Sequence, residues 1–216
     1  MDIIFNKTNL FFMLDGLKLT LLIAIVTIIL STIIGVILAL IRNYCKGILA
    51  PLAKFVTCYV ELFRCTPNIL WILVIRFFVK GSPVPIAVFA CTLFTSAVMT
   101  EIIRGGLNSI PNGQFEGAAS QGFTFVQTLF YIILPQTFKN IIPALLSQVI
   151  TIIKDTSFFR VIEVAEFTRN SLGVIGAKCT ETYQIMTLFG IVAATYFIIC
   201  FFLSCMVRGY HKRVTI

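Results

Sequence analysis

A bundle of membrane-spanning α-helices is the fold class that three observations predict. The chain is 58% hydrophobic and only 12% charged, whereas soluble domains are roughly half apolar and a quarter charged. Its mean hydropathy is +0.98. Two runs, about 17–41 and 182–207, stay apolar over the ~20 residues that cross a hydrocarbon core. With 216 residues there is room for several helices and short loops, but not for a sizeable soluble domain as well. No repeat with a period of about 20 to 50 residues and no low-complexity linker is visible, so residues 1–216 are expected to form one transmembrane domain.

The first span, 17–41, is interrupted only by Lys18 near its start and by Ser and Thr, whose hydroxyls can bond the preceding turn's carbonyls. Weaker spans are expected at about 67–79, 85–103 and 139–158, where charges and prolines dilute the apolar signal. The last span, 182–207, ends at Arg208, Lys212 and Arg213. Five spans place the termini on opposite sides. Lys and Arg concentrate in cytoplasmic loops, so the basic tail puts the C-terminus inside and the N-terminus outside. Arg42, Lys46 and Lys54 then form an inner loop, residues 109–130 lie inside, and residues 155–181 lie outside. At that outer segment Lys154, Arg160, Arg169 and Lys178 are accompanied by Asp155, Glu163, Glu166 and Glu181, so the tail carries most of the orientation argument.

The net charge of +8 would suggest nucleic acid in a soluble protein. Here the basic residues sit at the ends of apolar runs and read as topology. The seven cysteines (45, 58, 65, 91, 179, 200 and 205) contain no Cys-x-x-Cys pair, and His211 is the single histidine. That pattern gives neither a disulfide framework nor a metal site, and the cysteines read as small buried apolar residues. The N-terminus opens on mixed polar and aromatic residues, and its first apolar run is too long for a signal-peptide core, so it is expected to stay uncleaved.

Between the spans lies a short polar helix bounded by turns. Pro111, Asn112 and Gly113 make an entry turn. Gly122 can adopt the left-handed conformation that stops a helix, and Thr124 with Gln127 reads as a capping box opening the next one. Gly117, Ala118 and Ala119 give a face small enough for close approach, while Phe115 and Phe123 offer bulk to a partner's pocket. An amphipathic helix lying on lipid headgroups is the alternative, but it would carry more Lys and Arg.

The order of these motifs resembles a known family. Glu116-Gly117-Ala118-Ala119-Ser120-Gln121-Gly122, then Leu134-Pro135-Gln136, then Lys154-Asp155-Thr156-Ser157, is similar to the "EAA" coupling loop and following span of bacterial ATP-binding-cassette (ABC) importer permeases. Glu101-Ile102-Ile103-Arg104-Gly105-Gly106, Ile110-Pro111 with Gln114, Tyr59-Val60-Glu61-Leu62-Phe63-Arg64 before Thr66-Pro67, and Gly16-Leu17 before Thr20-Leu21 resemble the polar amino-acid uptake branch. Gly117 departs from the family, which usually has its first alanine there.

The resemblance implies the type I permease fold and a membrane-spanning permease subunit of an ATP-driven importer. Its expected partners are a cytoplasmic ATPase dimer gripping the Glu116 region, a second permease subunit (the same chain or a paralogue) and an extracytoplasmic binding protein delivering a polar amino acid. The expected setting is the bacterial inner membrane. No Gly-x-x-x-x-Gly-Lys-Ser/Thr loop, His-Glu-x-x-His motif or nucleophile elbow occurs. ATP is therefore expected on partner subunits, with no cofactor and no enzymatic activity on this chain. A membrane scaffold, a regulatory subunit or an ion-coupled carrier is the alternative from another class.

Ionisable residues at membrane depth cost several kcal/mol unless paired or facing water. Glu61 and Arg64, like Glu101 and Arg104, are three apart and can pair on one helix face. Glu101 follows Thr95, Ser96 and Thr100 and is expected to face the interior. Glu101 or Asp155 suits a substrate ammonium, and Lys154, Arg76 or freed backbone amides suit its carboxylate; bracing between helices is the other role open to each. Pro143 must release the carbonyl four residues back and kink its span.

Overall fold

The computed structural model describes residues 6–178 and 181–214, with side chains described at 6–176, 181–209. Among them there is helix and no strand. α1 (Lys7–Tyr44) starts ten positions before the apolar run because the Asn6 side chain accepts from the Thr8 N–H at 3.1 Å and caps it. It buries a stripe of mostly small residues, including Gly16, Thr20, Thr27, Ser31, Gly35 and Ala39. Such stripes let membrane helices approach closely. A Cβ on Gly35 would stand 2.6 Å from the Met99 Cβ of α4 (Pro83–Asn108), so this glycine sets the α1–α4 separation.

The expected span at 67–79 needs correction. α2 (Ala50–Arg64), entered by a 3-10 turn at Gly47–Leu49, meets α3 (Asn68–Phe78) at a 106° bend. The 11 residues of α3 reach only ~16 Å, about half of a hydrocarbon core. α2 and α3 therefore make one broken span. Pro67 precedes α3 with extended backbone, and Thr66 fixes the corner: its hydroxyl donates to the Leu62 carbonyl at 2.6 Å and accepts from the Trp71 indole at 2.6 Å. Helix length and apolarity give four candidate spans, or five with the bent pair.

α4 is the centre of the bundle, packed by α1, α2, α3 and α7. Of its most apolar window 67% is buried, against 6% for α9 (Thr182–Val214), which forms the rim. After α5 (Asn112–Ser120) and α6 (Phe125–Thr128), a π-helical turn at Leu129–Ile133 leads into α7 (Leu134–Asp155), and a 3-10 stretch continues to Ile162. This span thus begins well before position 139. The segment expected as an outer loop holds α8 (Phe167–Lys178), which packs on the first half of α1. Gly16 permits that contact, since its Cβ position lies 2.9 Å from the Glu166 backbone. Thr20 Oγ1 accepts the Phe167 N–H at 3.2 Å.

The cysteines also need correction. Cys91 is buried, but Cys58, Cys65 and Cys205 are exposed on the outside of the bundle, where lipid or a partner replaces core. Cys179 lies outside the described residues, as do the side chains of Lys178, His211, Lys212 and Arg213.

Candidate coupling and translocation sites

α5 is closed at both ends by the expected chemistry. Gly122 takes φ +79°, its N–H reaches the Ala119 carbonyl at 3.0 Å, and the Phe123 N–H reaches Ala118 at 3.1 Å. This is the paired Schellman pattern. Thr124 and Gln127 form the reciprocal capping box. Gln136 Nε2 donates to Gln114 Oε1 at 3.0 Å, and the Tyr44 and Phe125 rings meet edge to face at 5.1 Å. α5 is thus a rigid projection clamped to α7, and its flank α6 to α1. Glu116, Gly117, Ala119, Gly122 and Phe123 are exposed, whereas Ala118 is buried and Phe115 is half-buried against the chain's own core. The small face therefore splits, with Ala118 facing inward.

Glu101 sits in a cage of arginines from three helices. Arg42 of α1 bonds Oε1, while Arg104 of α4 donates to Oε2 from Nη2 at 2.8 Å and from Nε at 3.2 Å. Arg64 of α2 stands 3.9 Å from Oε2 and not on Glu61. The expected Glu61–Arg64 pair is absent among the described residues. The physical reason is that the half-buried Glu101 carboxylate, in a less solvated site, attracts a guanidinium more strongly than the exposed Glu61 does.

The remaining pathway candidates separate. Ser96 is fully buried and bonds Tyr59 Oη at 2.7 Å across the α2–α4 contact. Arg76 donates to the Val79 carbonyl at the end of its own helix at 3.5 Å. Asp155, at the end of α7, accepts from Asn68 Nδ2 at 3.2 Å, beside the α2–α3 bend. Lys154 beside it is exposed.

One feature escaped the sequence reading. Asn140, Ser147, Thr151 and Lys154 fall at helical spacings of seven, four and three on one face of α7 and are exposed or half-exposed. A lipid-facing helix does not carry such a stripe. Its helical spacing was the available signal. Pro143 lies beside it, and Ser147 Oγ donates to the Pro143 carbonyl at 2.9 Å.

Comparison with known proteins identifies the family. The family model for the binding-protein-dependent transport system inner membrane component matches residues 31–216. The Bacillus subtilis (strain 168) protein named "Probable glutamine ABC transporter permease protein GlnP" is 35% identical, with 98% of this chain and 97% of that protein covered. The L-cystine transport system permease protein TcyB of the same organism is 38% identical, with 86% and 81% covered. A crystal structure of an amino acid ABC transporter with histidines is 28% identical, superposes with a TM-score of 0.81 and covers 94% of each chain. These likenesses, on a chain of four or five candidate spans, decide the family: the chain belongs to the binding-protein-dependent transport system inner membrane component family, as a multi-pass permease subunit of an ABC importer.

Proposed function

We propose that the chain pairs with a second permease subunit to carry a polar amino acid across the membrane. An extracytoplasmic binding protein delivers the substrate, and cytoplasmic ATPases grip α5. The uncovered polar stripe of α7, ending at Lys154 and Asp155, carries this reading. Paired across a dimer, such stripes enclose a wet route. Glutamine and L-cystine, named for two relatives, differ in side chain but share an ammonium and a carboxylate. Asp155 suits the first and Lys154 the second. Ser96 and Arg76 are engaged elsewhere, and Glu101, surrounded by arginines, fits the bracing role.

Reconstituted uptake tests this. Asp155→Asn removes the charge at constant size and should lower uptake at least about tenfold, the cost of ~1.4 kcal/mol, while assembly and basal ATP hydrolysis persist. Wild-type uptake by that variant would remove Asp155 from the route. The basic groups Arg42, Lys46, Lys54 and Arg208 favour a cytoplasmic C-terminus and an outer N-terminus. A reporter fused after Ile216 should be active only in its cytoplasmic form; the opposite result would reverse the assignment.

A further inference from the structure

Three guanidiniums surround one carboxylate at Glu101, leaving two positive charges in excess. Arg42 and Arg104 spend hydrogen bonds on Glu101. Arg64 makes none among the described residues, and its side chain is 48% exposed. A guanidinium presents five donors, so the cluster has many left over, toward the ends of α1 and α4, where Lys46 of the connection after α1 also lies.

The same three helices enclose an apolar crevice of about 250 Å³, lined by Ile34 and Leu38 of α1, Phe55, Val56 and Tyr59 of α2, and Leu93 of α4. Ile34 and Leu38 precede Arg42 by two turns and one turn on one face of α1, and Leu93 precedes Glu101 by about two turns. The crevice opens outward, since Phe55 at its rim is 71% exposed. A slot with hydrocarbon walls and a cationic end has the chemistry of a phospholipid, because anionic headgroups seat in basic pockets between membrane helices on the cytoplasmic side.

We propose that this is a binding site for one anionic phospholipid. The phosphate lies on Arg64 and the free donors of Arg104, and an acyl chain lies in the Ile34–Leu38–Phe55–Leu93 crevice. Glu101 keeps the arginines splayed toward it. The inference rests on the inner placement of the α1 and α4 ends proposed above.

The test uses the purified permease with its ATPase in nanodiscs of mixed phosphatidylglycerol and phosphatidylcholine, with retained lipid read by native mass spectrometry. Each cation near a membrane surface favours anionic lipid by about fivefold, so two in excess predict a preference of about thirtyfold. Arg64→Gln, which loses no hydrogen bond, should reduce that preference about fivefold, and adding Arg104→Gln should nearly abolish it. Leu38→Trp fills the crevice without touching the charges and should also lower retention. Equal retention of both lipids by the wild type, or an unchanged preference in Arg64→Gln, overturns the proposal. So does stabilisation by inorganic phosphate alone that matches phosphatidylglycerol and is unaffected by Leu38→Trp. Uptake measured alongside separates the two readings, because a wild type that takes up substrate but shows no lipid preference refutes only the lipid site.

Discussion

Replacing Glu101 with Gln keeps the size of the side chain and removes the one anion that reconciles Arg42, Arg64 and Arg104. Removing one partner of a buried ion pair costs about 3 to 5 kcal/mol, because the other charge is left desolvated. Side-chain exposures of 17% for Glu101 and 19% for Arg42 place this pair toward the lower end, at about 3 kcal/mol. Arg64, at 48%, adds little because water screens it. In a chain of this size that loss lowers the melting temperature by roughly 6 to 12 °C. Thermal unfolding of the purified complex should therefore move first, and assembly should suffer before the transport step. Adding Arg42→Gln to Glu101→Gln should restore part of the loss, since the double variant no longer strands that guanidinium. Wild-type melting and assembly together with abolished uptake would refute the bracing argument and return Glu101 to the substrate route.

Gly16→Ala places a Cβ 2.9 Å from the Glu166 backbone, which no flexible side chain can relieve, so α8 should lift from α1 at a cost of about 1 to 3 kcal/mol; unchanged melting and unchanged proteolysis around 163–181 would count against that contact. Gly122→Val puts a β-branched residue at φ +79°, and the strain of about 1 to 3 kcal/mol should loosen the end of α5. Uptake and substrate-stimulated ATP hydrolysis should fall with membrane insertion intact, and normal values for both would sink the idea of α5 as a rigid handle. Glu166 caps α8, accepting the Thr168 and Arg169 N–H groups at 2.7 Å each. Burial nevertheless pushes its carboxyl above the usual value, the hydrogen bonds opposing only in part. A carboxyl raised in the folded state gives stability that is complete below the unfolded pKa and is lost as pH rises through the folded one. The melting temperature of the wild type relative to Glu166→Gln should therefore decline from about pH 4 upward, and a flat difference would contradict the burial argument.

Local chemistry was legible where one short segment determines it. The Gly122 stop and the Thr124–Gln127 box need only their own neighbours, and both appear as expected. The two long apolar runs declared α1 and α9 for the same reason. The second span was not legible, because α2 carries Lys54, Glu61 and Arg64 and reads as a polar surface until the Thr66–Pro67 corner joins it to α3. Nor was the partner of Arg64 legible. Spacing of three proposed Glu61, and only the crossing of α1, α2 and α4 brings Glu101 nearer.

Small residues show how the two levels join. Gly16 and Gly35 look alike in the sequence as interruptions of an apolar run, each weakening the helix by up to about 1 kcal/mol. In the fold they are where α1 meets, in turn, the Glu166 backbone and Met99. Between them Thr20 accepts the N–H of Phe167. The stripe that weakens α1 locally is thus what fastens it to α8 at one level and to α4 at another. Through Arg42 and Glu101, the same helix reaches α4, from whose end α5 projects. If α5 is the handle proposed above, a push on it would reach the braced cluster of α1, α2 and α4, and the hydrogen bond between Gln114 and Gln136 would pass it to α7, whose uncovered polar face is where the substrate route is proposed.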